Sequence, residues 1–402
     1  MNLFISILGL AALILVHEAG HFFTARAVGM SPRRFYLGFP PALVKTTRKG
    51  IEYGIGAIPL GGYVKIPGMH RPAPSDVDMH FGRALTEAPQ LVGPLTRLKG
   101  RFEEGDFSTA TTTLQEVERT VEDTALSPEA DKAARRGLTE IADGLGSDAY
   151  WRQATWKRVA VIFAGPGVNL VVAIAIFAVL FMLSGGPVTR TVDSVREGRP
   201  AETVGLRSGD AILAIGGRAV EPDGISQRIA ASRGRPLTIL VERDGRRVRL
   251  GPIRPRQDGG AYRLGFALRG QGLAAPQALW RSVKLTGIVT REIGASLGRL
   301  VRGSGREDIS SPVGIVQGSS NALDQGLQNF LWVMGLISLS LALLNLLPLL
   351  PLDGGHIAFS LLEGLRGRAV GRGVYERFSA VGIALVLLLF FVGLTNDIGR
   401  LG

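Results

Sequence analysis

With 402 residues, 46% of them hydrophobic and only 20% charged, and a mean hydropathy of +0.22, the chain is too apolar for a purely cytosolic globular protein. The absence of cysteine excludes disulfide staples, a thiol nucleophile and thiolate zinc sites, so any metal must be held by the five histidines and the carboxylates. A formal charge of +12 in a chain with long apolar runs points to a lipid surface as the charged partner, not to nucleic acid.

The first apolar run, Asn2 to Val28, is long enough for a membrane-spanning helix, which needs about 20 residues. It lacks the basic leader and small-residue cleavage site of a signal peptide, so residues 1–29 read as a retained span. Within it Val16-His17-Glu18-Ala19-Gly20-His21 is an H-E-x-x-H motif. Residues four apart share one helix face, so His17 and His21 can point at one zinc ion while Glu18 reaches the attacking water. A single ionisable group at the centre of a span costs about 2.5–3.5 kcal/mol. Three in one turn therefore call for a metal, a charged partner or a water-filled cavity.

Residues 30–84 are rich in glycine and proline, and Gly54 to Lys65 reads as an apolar, membrane-associated hairpin. A substrate helix must be unwound before its carbonyls can be attacked, and an exposed strand edge here, including Gly61, Gly62, Tyr63, Val64 and Lys65, would supply replacement hydrogen bonds. Residues 85–149 turn polar, with helical spacing from about Thr109 to Leu145, and read as a solvated helical insertion. A second span, Val159 to Leu183 within residues 150–184, carries Ala164-Gly165-Pro166-Gly167-Val168-Asn169. Residues 185–270 alternate short β-like runs with turns: Val188–Val195, Ala211–Ile215, Leu237–Arg243 and Arg246–Leu250. The stretch Gly205 to Gly217 is similar to the turn and strand of bacterial PDZ domains, with Ile225–Ser232 as their groove helix. In the linker 271–329, the amphipathic pattern from Pro276 to Val301 suits a helix on the membrane surface or an ordinary packed helix.

The third span, Phe330 to Leu347 within residues 330–353, runs into Asn345-Leu-Leu-Pro-Leu-Leu-Pro-Leu-Asp-Gly-Gly-His356. A loop at 354–378 and a fourth span, Ser379 to Leu394 within 379–402, follow. A hydrolytic zinc wants a third protein ligand, and the candidates are Asp353 and His356, against His70 and His80 in a proline-rich loop. With four spans, the first and third loops share one side of the membrane, so the ends of spans one and three can meet and Asp353 can reach the two histidines. Pro348 and Pro351 break the helix, which is tolerated at membrane depth only where the backbone is shielded or lines a polar cavity. Asp353 is the favoured ligand, with His356 as the alternative. Asn169 and Asn345, amides in apolar surroundings, could stabilise a developing oxyanion or hydrogen-bond between helices. Arg33, Arg34, Lys45, Arg48, Lys157, Arg158, Arg366 and Arg368 put the shared side in the cytoplasm, whereas the long loop between spans two and three is also basic but translocates largely regardless of charge.

Together these motifs resemble the site-2 protease family of intramembrane zinc metalloproteases, in the bacterial branch with a PDZ domain between spans two and three. The matching strings are His17 to His21, Ala164 to Asn169, Asn345 to Gly355, Gly61 to Lys65, which is similar to the family's substrate-engaging β-loop, and Ser311-Pro312-Val313-Gly314-Ile315. The resemblance implies a multi-pass α-helical membrane protein with four transmembrane helices, a membrane-associated β-hairpin region and an inserted PDZ-like β-rich domain. It implies Zn²⁺ held by His17, His21 and Asp353, with Glu18 as base and acid, and Asn169 and Asn345 in support. It further implies regulated intramembrane proteolysis in a bacterial inner membrane, on anti-sigma factors trimmed by another protease or on remnant signal peptides. The PDZ-like domain would be extracytoplasmic and the active site near the cytoplasmic side. A catalytically idle scaffold or an ion transporter would not require Glu18 between two histidines together with an aspartate at a helix break.

Overall fold

A computed structural model describes residues 1–258, 260–306 and 309–401. The chain divides into two compact units, Met1–Ala173 with Val289–Gly402, and Ile174–Ile288.

The first unit begins with α1 (Asn2–Ala27), followed by β1 (Arg34–Arg48) and β2 (Ile51–Lys65). Gly54 to Lys65 is therefore not itself a hairpin, as the sequence suggests, but most of one strand; the turn is Lys49-Gly50, both at positive φ. That is the backbone a two-residue hairpin turn demands. The glycines that imitate a turn serve close strand packing instead, since a side chain at Gly54 would strike the Tyr36 ring. The two strands fold over one another, so that Phe35 lies across from both Tyr53 and Val64, and Tyr36 across from both Gly54 and Tyr63; Arg34–Leu37 runs antiparallel to Gly62–Lys65 and alongside Glu52–Ile55. Among the described residues, the Gly62–Lys65 end of β2 pairs only with the start of β1 and so forms an edge.

Four helices follow: α2 (Pro74–Glu87), α3 (Val92–Glu104), α4 (Phe107–Glu122) and α5 (Pro128–Leu145). Their starts are chemically marked. Asp106 and Ser127 cap α4 and α5 by accepting the amides of Thr109 and Ala130, and proline opens α2 and α5. Hydrogen bonds from the Thr109 amide and hydroxyl and from Ser108 hold the Asp106 carboxyl down at about 2. The four apolar faces close on a core containing Val77, Phe81, Leu95, Leu98, Val117 and Ile141. This stretch is a packed module with its own interior. His80 sits on α2 with Nε2 3.1 Å from Glu140 of α5, rather than in a solvated loop.

Helix α6 (Thr155–Ser184) leads into the second unit. There β3 (Val188–Val195), α7 (Pro200–Thr203), β4 (Ala211–Ile215), β5 (Arg218–Ala219), α8 (Gly224–Ala231), β6 (Leu237–Arg243) and β7 (Arg246–Ile253) precede β8 (Arg256–Asp258), β9 (Ala261–Arg263) and β10 (Phe266–Gly270). A six-stranded sheet runs β10-β3-β4-β6-β7 with β5 beside β4, and β8 and β9 form a separate pair. Apolar residues of the strands, among them Val192, Ile212, Ile215, Ile239 and Val241, meet Ile225 and Ile229 of α8 in one core.

Helix α9 (Ala275–Val301) returns the chain to α10 (Pro312–Asp324), α11 (Leu327–Asn345), α12 (Asp353–Arg366) and α13 (Arg372–Leu401). The Ser311-Pro312-Val313-Gly314 string is a helix start. Its Ser311 oxygen accepts the Val313 amide, and the amides of Ser311 and Gly314 donate to the Asp397 carboxylate of α13. Among the described residues, α1, α6, α11 and α13 are long and apolar enough to cross a membrane, and their outward faces carry exposed Phe4, Leu8, Val171, Val179, Leu387 and Leu388.

Candidate metal centre

Three elements of the first unit converge on one point. The H-E-x-x-H spacing puts His17 and His21 on one face of α1, only 8% and 7% exposed. The chain leaves α11 at Asn345, passes Pro348 and Pro351, and re-enters a helix at Asp353, whose carboxylate thus stands at the first turn of α12. Helix α6 crosses α1 at the same level. A side chain on Gly20 would come within 2.6 Å of the Ala164 carbonyl oxygen, and one on Gly165 would overlap the His21 ring. The two glycines permit backbone contact at the turn that carries the imidazoles.

The ligand atoms form a triangle. His17 Nε2 and His21 Nε2 are 3.2 Å apart, and Asp353 Oδ2 lies 3.2 Å from the first and 3.4 Å from the second. Atoms bound about 2.0–2.1 Å from a tetrahedral zinc stand about 3.3–3.4 Å from one another, so the triangle has the size of one face of such a site, with the fourth corner open. The donor chemistry agrees. His21 Nδ1 lies 2.9 Å from the Val161 carbonyl oxygen, which fixes the proton there and leaves Nε2 with its lone pair turned inward. Asp353 Oδ2 is buried without a hydrogen-bond partner although both rings are so near. Buried lone pairs facing one another with no proton between them fit a cation.

Glu18, between the histidines, packs against β2, and a side chain on Gly62 would collide with its methylene and carboxylate. The Gly61–Lys65 edge therefore passes directly over Glu18. Asn169 is fully buried on α6, with Nδ2 3.5 Å from His17 Nδ1, its own backbone oxygen accepting the Ser338 hydroxyl, and Oδ1 without a partner. Asn345 ends α11, and no hydrogen bond joins it to the triangle among the described residues. His356 stands apart, its Nδ1 paired with the Tyr375 hydroxyl, and burial pushes it down to about 4. His70 lies in the loop before α2 with its ring edge-on to Tyr375, away from the triangle.

Some supporting groups have no motif to announce them. The Val161 carbonyl that orients His21 is backbone, invisible in a sequence. Arg158 of α6 reaches Glu363 of α12 at 2.7 Å and the Ser360 carbonyl at 3.3 Å, while the Tyr150 hydroxyl is 2.9 Å from Ser360 Oγ. These bonds tie the helix carrying Asp353 to the helix crossing the histidines. An arginine set against the start of an apolar run, Arg158 just before Val159, is the signal that could have found the Arg158–Glu363 pair.

The sequence profile of peptidase family M50 matches residues 5–389. The zinc metalloprotease Rip1 of Mycobacterium tuberculosis is 30% identical over 418 residues, covering 90% of this chain and 86% of its own. The zinc metalloprotease RasP of Geobacillus kaustophilus is 30% identical over 417 residues, covering 97% of this chain and 96% of its own. RasP of Oceanobacillus iheyensis is 28% identical, with 98% of both chains aligned.

Proposed function

The chain belongs to peptidase family M50, the site-2 proteases, and is a zinc metalloprotease; from that premise we propose that it hydrolyses peptide bonds within transmembrane segments, using His17, His21 and Asp353 as the zinc ligands. The observation that carries this reading is the ligand triangle, with separations of 3.2, 3.2 and 3.4 Å between two ring nitrogens and a carboxylate oxygen. When bound there, zinc lowers the pKa of a water towards neutrality and polarises a carbonyl. Glu18 takes the proton of the attacking water and delivers it to the leaving nitrogen, which needs a carboxylate free to swing between the two. Asn169 holds His17: with Nε2 turned to the triangle, His17 carries its proton on Nδ1, and a half-turn of the neighbouring carboxamide brings the unpartnered Oδ1 to accept it. Asn345, at the end of α11, is read as a supporting amide on the resemblance alone.

The substrate is a helix whose amides are already paired, so it must exchange those bonds for others. The Gly61–Lys65 edge over Glu18 offers them by strand addition and lays the unwound segment along the hydrolytic water. We read the second unit as a PDZ-like domain placed outside the cytoplasm as a filter on substrate ectodomains; a strand at Ala211–Ile215 and a helix at Gly224–Ala231 support that reading. On this reading its substrates are pre-trimmed anti-sigma factors or remnant signal peptides in a bacterial inner membrane.

Purified in detergent, the protein should contain about one zinc per chain, the number one closed triangle can hold, and cleave a transmembrane reporter. Glu18→Gln should keep the zinc and lose cleavage by about 10²–10⁴-fold, the range for a general base, while His21→Ala should lose both. Full cleavage by Glu18→Gln would contradict the mechanism.

A further inference from the structure

The mechanism makes no use of the helical module α2–α5, yet that module touches the chain immediately beneath the substrate-facing edge. Asp143, buried in the last turn of α5, holds two cations: Arg33 Nε at 2.7 Å on Oδ1, just before β1, and Lys65 Nζ at 3.1 Å on Oδ2, at the end of β2. Arg33 also reaches Asp148 at 3.1 Å, and its amide donates to the Lys65 carbonyl at 2.7 Å. Directly after β2, the Pro67 and Gly68 carbonyls accept the Tyr150 and Trp151 amides at 2.9 and 3.1 Å, and the Trp151 indole donates to the Gly144 carbonyl at 2.7 Å. A second brace joins Asp76 of α2 to Arg372 at the start of α13. Between the braces lies a cavity of about 310 Å³ with Tyr63, Val64 and Lys65 of β2 on one wall and His80, Glu140 and Asp143 on the other.

We infer that Asp143 is a positioning residue for the reaction: by holding Arg33 and Lys65 together at the foot of the strand pair, it sets the register and height of the Gly61–Lys65 edge over Glu18. Lys65 lies three steps along the strand from Gly62, a span of about 10 Å at about 3.3 Å per residue. Strand that short is stiff, so displacement at its foot is carried to the edge. Arg33 and Lys65 are like charges side by side, and removal of the shared carboxylate turns an attraction into a repulsion across the foot of the ladder. The two cations that Asp143 holds belong to the strand pair and not to the module's apolar core. The inference rests on the reading that this edge receives substrate.

The test uses the full chain in detergent with two transmembrane reporters, one an unbroken helix and the other carrying Gly-Pro at the cleavage position. A photocrosslinking amino acid in place of Tyr63 reports substrate at the edge. Asp143→Asn should keep its zinc, lose kcat/KM on the unbroken helix by about ten- to hundredfold, mainly through KM, as expected for a misplaced substrate, and crosslink weakly. The broken reporter, already unwound, should suffer far less, and Asp143→Glu should restore much of the loss. Zinc loss in Asp143→Asn, equal losses on the two reporters, or no rescue by glutamate would each overturn the inference. If wild type fails to crosslink the reporter it cleaves, the strand-addition reading falls and takes the inference with it. If wild type crosslinks and Asp143→Asn behaves like it, the inference alone falls.

Discussion

Gly165 lacks a side chain because the His21 ring occupies the space one would need. With Gly20 on the facing helix lying against the Ala164 carbonyl, neither backbone can retreat without opening the α1–α6 crossing. Gly165→Ala therefore has to push the imidazole, and the Val161 carbonyl no longer meets Nδ1 in line. Loss of such an outer partner costs about ten- to hundredfold in metal affinity, and chelator competition on the purified variant should read a drop of that size. Retention of wild-type zinc affinity would mean that the crossing is looser than the distances imply. The histidines themselves were legible because a spacing of four residues is a geometric statement about a helix, and Asp353 followed from counting spans. The role of Gly165 was not legible, since what a glycine permits depends on what passes over it, and Val161 contributes only backbone.

At the scale of elements, the polar stretch before the second span shows why composition misleads about packing. Each of its helices is apolar on one face only, so the mean looks solvated, while four such faces together enclose Phe81 and its neighbours completely. The helical period was readable from Thr109 onward, but the opening turn of α2 at Pro74 hides in a proline-rich run. Likewise Gly54 to Lys65 revealed its β character but not its turn, because glycines needed for strand contact look like glycines needed for bends. The core makes a direct prediction. Phe81→Ala removes a fully buried ring and should destabilise the module by about 3–5 kcal/mol. Limited proteolysis should then cut within residues 74–145 at protease levels that leave wild type intact, and unchanged resistance would argue against a common core for these helices.

Across the whole molecule the sequence exposed four helices long and apolar enough to cross a membrane and the β-rich insertion between the second and third of them, both of which follow from long apolar runs and strand alternation. It gave no hint that the second unit carries an ion pair with a buried carboxylate. Asp210, its side chain 1% exposed at the start of the sheet, is gripped by Arg243 at 2.7 Å through both oxygens and accepts the Arg207 amide at 2.9 Å. Burial raises its carboxyl, but the Arg243 hydrogen bonds, the Arg207 amide and the adjacent charges outweigh that and hold it below its ordinary value. The native group titrates lower than the unfolded one, at about 3.9. Its stabilisation is therefore complete above that pH and fades as acid carries the solution down through the native value. Arg243 stays partly in contact with water, so breaking one side of the pair costs about 1–3 kcal/mol. Hydrogen exchange of Ala211–Ile215 and Leu237–Arg243 in the intact protein, corrected for the intrinsic pH dependence of exchange, should show wild-type protection falling below about pH 4. Asp210→Asn should already be less protected at neutral pH and lose this acid-dependent component, because the titrating group is gone; an undiminished acid loss in that variant would assign the sensitivity to other carboxylates.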